Sequence, residues 1–138
     1  MASKIFVDAN LLLDFSLKRD NYAVSKQLIQ LIIDGEVQAF ITPSIVHITS
    51  YWLTKAYGTD KAKQLLLQLL TDIQVIDCTH AITINALNSK MTDIEDALQY
   101  YTALHHKIDF FISEDKGLQK SAIPNLPVYS SKDFLNLL

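Results

Sequence analysis

Three acidic segments carry the residue types from which a reactive site could be built. The first is Asp8-Ala9-Asn10, with Asp14 further along. The second is Asp93-Ile94-Glu95-Asp96, and the third is Ser113-Glu114-Asp115. A carboxylate drawn partly out of water is costly unless a cation meets it, and a divalent metal ion is the common answer. Donor sets made only of oxygen point to magnesium or manganese. Each segment also has a plainer reading. An Asp that closes a strand often caps the next helix. Acids in a first helical turn complement the helix dipole, and Thr92 with Glu95 spells a capping box. Asp115-Lys116-Gly117 is good turn chemistry. The case for a site therefore depends on elements that bring the three segments together.

Those elements follow from the hydrophobic pattern. Lys4-Ile5-Phe6-Val7 is a short apolar run that reads as a buried strand. Asp8 falls at its carboxyl end, where open α/β sheets place their ligands. Asn21 to Ile33 has helical spacing and stops at Asp34-Gly35, and Val37 to Ile41 reads as a second strand. Thr42-Pro43-Ser44 opens a helix that runs to Gly58, and Thr59 to Leu70 forms another. Ile73 to Asp77 is a third strand, followed by a short helix near Thr79 to Ser89 and a stronger one from Asp93 to His105. Asp109 to Ser113 is a fourth strand, Val128-Tyr129 a short fifth, and Lys132 to Leu138 a terminal helix. Strands alternating with helices predict an α/β fold: a three-layer α/β/α single domain over residues 1–138, with a central, mostly parallel sheet of four to five strands. In such a sheet the first and fourth strands are natural neighbours across the switch point. Asp8, Asp96 and Asp115 then converge in one crevice. On the helix from Asp93, Ile94, Ala97, Leu98, Tyr101 and Leu104 make the apolar stripe. Asp93, Asp96 and Tyr100 share its shoulder, while Glu95, Gln99 and His106 point away. Asp77 closes the third strand toward the sheet edge, and Asp14 lies at the rim on the helix after Asp8.

Composition narrows the class of protein. The chain has 138 residues, 49% of them hydrophobic, with three Gly and three Pro, so a core is available and no linker is visible. No apolar stretch reaches membrane length, and the start runs straight into the first strand, so neither a membrane span nor a signal peptide is expected. The single cysteine, Cys78, fits a reducing, cytoplasmic compartment. A net charge of −3 argues against a binder held to nucleic acid by basic charge, but not against an enzyme that meets phosphates through metal ions. Neither His105-His106 nor His47 and His80 have zinc-site spacing. There is no Gly-rich phosphate loop, no Gly-x-Ser-x-Gly elbow and no Cys-x-x-Cys pair.

Phe6-Val7-Asp8-Ala9-Asn10-Leu11-Leu12-Leu13-Asp14, Asp93-Ile94-Glu95-Asp96-Ala97-Leu98-Gln99-Tyr100 and Phe111-Ile112-Ser113-Glu114-Asp115 together resemble the three blocks of PIN domains. The likeness spans nearly the whole chain and is closest to small, VapC-like toxins. The resemblance implies a metal-dependent ribonuclease in which Asp8, Asp96 and Asp115 bind Mg2+ or Mn2+. Asn10 and Ser113 would support them, and Asp93 would be an accessory acid. It also implies an RNA substrate, an antitoxin partner and a homodimer. One departure stands out. Many PIN domains carry a further acid on the helix after the second strand, and here that position falls at His47 or Ile48. A non-catalytic PIN-fold module that binds RNA or a protein is therefore the rival reading. A receiver-like phosphoacceptor and an Asp-x-Asp phosphatase both fail. The receiver needs paired acids after the first strand, and Asn10 cannot act as a general acid.

Overall fold

The computed structural model describes residues 2–138. In chain order the elements are β1 (Ser3–Val7), α1 (Ala9–Ser16), α2 (Tyr22–Ile33), β2 (Val37–Ile41), α3 (Pro43–Tyr57), α4 (Thr59–Leu69), β3 (Ile73–Val75), α5 (His80–Leu87), α6 (Ile94–His105), β4 (Phe110–Ile112), α7 (Lys116–Ser121), β5 (Val128–Tyr129) and α8 (Ser131–Leu137). The five strands form one sheet in the order β3-β2-β1-β4-β5, and every pairing is parallel. Parallel neighbours need crossovers, and the helices between the strands provide them.

β1 lies in the middle of the sheet. Ile5, Phe6 and Val7 are completely buried, as expected of a strand covered on both faces. Phe6 pairs with Phe111 of β4, and their rings stack at 4.8 Å. Because β1 and β4 pair in register, with Val7 opposite Ile112, Asp8 and Ser113 leave the sheet side by side. The Asp8 N–H donates to the Ile112 carbonyl at 3.2 Å.

α6 runs over the sheet with a different face inward from the one its apolar stripe suggests. Ala97, Tyr100 and Ala103 are buried, as is Gln99 at 4% exposure, whereas Ile94 is 61% exposed. Tyr100 can be buried because its hydroxyl is satisfied twice. It donates to the Leu126 carbonyl at 2.7 Å and accepts from the Ile123 N–H at 2.9 Å. Gln99 does not point away: it accepts a hydrogen bond from Thr42 at the end of β2. The capping box is also displaced. Asp93, not Thr92, caps α6, accepting from the Asp96 N–H at 2.9 Å. The turn expected at Asp115-Lys116-Gly117 is the start of α7. Among the described residues no helix is long and apolar enough to cross a membrane.

Candidate active site

The acidic residues gather where three helices begin. Asp8 is the N-cap of α1, with an extended backbone and a carboxylate that accepts from the Ala9 N–H at 2.7 Å. Asp93 caps α6. Asp115 caps α7, accepting from the Leu118 N–H at 3.0 Å. Asp96 stands in the first turn of α6. The plain reading of Asp8 as a cap is therefore correct, and Asp93 and Asp115 prove to be caps as well, where the sequence suggested a first-turn acid and a turn; capping is also what concentrates these acids. Free N–H groups and helix dipoles hold negative charge at helix starts, and here three such starts meet at the carboxyl ends of β1 and β4.

Ser113 ties the two strand ends together. Buried at 2% exposure, its hydroxyl donates to Asp8 Oδ2 and accepts from the Asp115 N–H, both at 3.2 Å. Its carbonyl accepts from the Gln119 carboxamide at 2.9 Å. Asp93, Asp96 and Asp115 line a cleft of about 230 Å³ with Met91, Gly117 and Leu118. Space at Gly117 is tight: a Cβ there would stand 3.1 Å from Asp115 Oδ1.

Electrostatics show how closely these groups are placed. Burial raises the Asp96 carboxyl, and the charges of Asp93, Asp115, Asp8 and Glu95 raise it further, to about 6. Asp8 is raised too, chiefly by burial and also by Asp115, against the lowering effect of its hydrogen bonds to Ala9 and Ser113. Glu95 is exposed, yet it feels burial and the charges of Asp93 and Asp8. Sequence periodicity aims Glu95 away from the site; the structure puts it at the edge of the acidic cluster. The signal that could have found it was its place in the first turn beside Asp93 and Asp96.

The cluster has no internal counter-ion. One ion pair occurs among the described residues, between Arg19 and Asp14 at 2.8 Å, and it reaches none of Asp8, Asp93, Asp96 or Asp115. Arg19 also takes up Asn10, donating to its Oδ1 at 3.3 Å, so Asn10 faces Arg19 and makes no hydrogen bond to the acids. Asp14 is likewise committed to Arg19. His47 is exposed and Ile48 half-buried on α3, and that helix has no acid in its first turn. A metal ion suits the donors in kind and charge: carboxylate oxygens, a neighbouring hydroxyl and uncompensated negative charge. The side chains are not drawn together in advance, since among the described residues no three His, Cys, Asp or Glu side chains already form a set that could hold a metal ion. Mutual repulsion and capping bonds to backbone N–H groups account for that separation.

Fold and site together define a class. The chain matches the PIN domain family over residues 4–117 and belongs to it. No curated protein matches it. Its fold is similar to that of VapBC2 from Rickettsia felis, solved bound to a DNA fragment from its promoter (TM-score 0.67, 15% identity, 92% of this chain and 98% of that one). It is also similar to that of Mycobacterium tuberculosis VapC20, a toxin described as cleaving the Sarcin-Ricin loop (TM-score 0.68, 14% identity, 88% and 97%). A toxin–antitoxin complex from Klebsiella pneumoniae gives a TM-score of 0.68 at 18% identity, over 91% of this chain and 98% of that one.

Proposed function

We propose that this protein is a metal-dependent ribonuclease that hydrolyses RNA phosphodiester bonds and serves as the toxin of a toxin–antitoxin pair. The observation that carries the reading is the placement of Asp8, Asp96 and Asp115 within electrostatic reach of one another, with no ion pair to any of them among the described residues. Membership of the PIN family supports nuclease chemistry. The likeness to folds solved as VapBC and toxin–antitoxin complexes supports an antitoxin partner. A cytoplasmic location, in keeping with the lone Cys78, and a homodimer belong to the same proposal.

Asp8, Asp96 and Asp115 would hold Mg2+ or Mn2+, with Asp93 and Glu95 adding negative charge at the rim. A bound ion supplies a water acidified toward hydroxide, and positive charge for the phosphate. The protein's part is to position and charge the ligands. Ser113 orients the Asp8 carboxylate and ties it to the Asp115 backbone. Asp96 keeps its proton to about pH 6, so ion binding competes with protonation and strengthens as the pH rises past that value.

The reading is tested by incubating the protein with single-stranded RNA and Mn2+. Cleavage is expected, with loss of activity in Asp8→Asn and Asp96→Asn variants that retain their helical circular dichroism. The absence of an acid at His47 and Ile48 favours a second reading, a PIN module that binds RNA or protein without cutting. RNA binding with no Mn2+-dependent cleavage would decide for it.

A further inference from the structure

We propose that the pocket beyond the carboxyl ends of β2 and β3, flanked by α6, binds a nucleobase, and that the Gln99 carboxamide reads its edge; the idea that this base belongs to an RNA substrate rests on the nuclease reading above. The pocket holds about 470 Å³ and is lined by Thr42, Pro43, Asp77, Cys78, Leu98 and Gln99 among others. It is separate from the acid-lined cleft but shares α6 with it, since Gln99 lies three residues beyond Asp96. That is roughly 4.5 Å along the helix, on nearly the same side.

Gln99 is the unusual lining residue. It is 4% exposed and Thr42 is 1% exposed. The Thr42 hydroxyl donates to Gln99 Oε1 at 2.5 Å and accepts from the Ile45 N–H at 3.3 Å. This bond fixes the carboxamide and leaves its –NH2 with no acceptor among the described residues. Yet among the described residues no buried polar side-chain atom lacks a partner. The Gln99 nitrogen is therefore not fully sealed, and Gln99 is part of the wall of this pocket. A buried amide held by its oxygen, with its two donors left free, is suited to an acceptor on a ligand.

The other walls indicate which ligand. Pro43, Leu98 and Cys78 offer apolar surface to a flat ring. The exposed carboxylate of Asp77 repels a phosphate but accepts from ring N–H or amino groups. A nucleobase combines a flat apolar face with an edge that both accepts and donates. A phosphate at the acids would put a neighbouring base beside the same helix, α6, that carries Gln99.

The test uses the full chain, without divalent metal, titrated with adenosine, guanosine, cytidine and uridine and followed by nuclear magnetic resonance. These probes carry no phosphate, so neither a metal ion nor the acidic cluster contributes. The Gln99 side-chain amide signals should shift saturably, with one nucleoside preferred over the weakest by about tenfold, the worth of one good hydrogen bond. Gln99→Leu should abolish the preference, and Asp77→Asn, on the exposed rim where folding is not at stake, should change it. No binding, equal binding of all four, or a preference that survives both substitutions would overturn the proposal. Because Mn2+-dependent cleavage is read separately, either result can fail while the other stands.

Discussion

Asp96 differs from Asp8, Asp93 and Asp115 in capping nothing. Its carboxylate accepts no hydrogen bond among the described residues, and it carries burial together with the charges of Asp93, Asp115, Asp8 and Glu95. In the unfolded chain this carboxyl ionises at about 3.8, and in the folded protein at about 6. The folded state therefore holds the proton more tightly. The resulting stabilisation is full below about pH 4 and is lost as the pH rises through 6. Asp8 shifts in the same direction. Asp96 is half exposed, so the effect is screened and amounts to about 1 kcal/mol at most. Metal-free protein is expected to melt higher at pH 5 than at pH 7.5, and Asp96→Asn should flatten that difference while leaving stability at pH 7.5 equal or raised. A less stable Asn variant with an unchanged pH profile would mark Asp96 as a structural group instead.

At the scale of the element, helix starts are the parts from which the site is made. Asp93→Ala removes the α6 cap and should lower the stability of the metal-free protein by about 1 kcal/mol in urea unfolding. Gly117→Ala sets two effects in opposition. Alanine favours a helix over glycine by about 1 kcal/mol, but its Cβ would press on Asp115 Oδ1 from 3.1 Å. The expected result is a melting temperature that holds or rises slightly with weakened Mn2+ affinity, because the carboxylate must give way. The existence and extent of α6 were legible in its sequence, but its inward face was not. Counting apolar residues ranks Ile94 as core and Gln99 as surface. Ile94, however, sits in the first turn and is left exposed, whereas Tyr100 and Gln99 go inside because Leu126, Ile123 and Thr42 supply the polar partners they need. Such partners come from remote segments and leave no local trace. α7 was hidden for another reason: its six residues carry too little apolar pattern to separate a short helix from a turn.

The whole molecule places its acids through strand order. Alternating strands and helices were enough to foresee a parallel sheet with the first and fourth strands adjacent, and the observed order β3-β2-β1-β4-β5 puts Asp8 next to Ser113 and leaves Asp77 at the β3 edge. The commitment of Asn10 and Asp14 to Arg19 was not foreseeable, because it depends on how the chain turns after α1. An ion that binds only the folded chain should stabilise all of it. At a hundredfold excess over its Kd the gain is about 2.7 kcal/mol, or roughly 10 °C in melting temperature for a chain of this size. Calorimetry with Mn2+ should show that rise, and Asp96→Asn should reduce it; no shift at all would remove the metal from the proposal. The three acidic N-caps carry a further consequence for descent. A lineage that lost its chemistry would still be held to a cap-forming residue (Asp, Asn, Ser or Thr) where Asp8, Asp93 and Asp115 now stand, since a side chain that cannot accept from the backbone uncaps a helix. Asp96 weakens the fold and would be the first acid released to drift. Among relatives of this chain, the residue at that one position is therefore a better mark of a working enzyme than the count of acids.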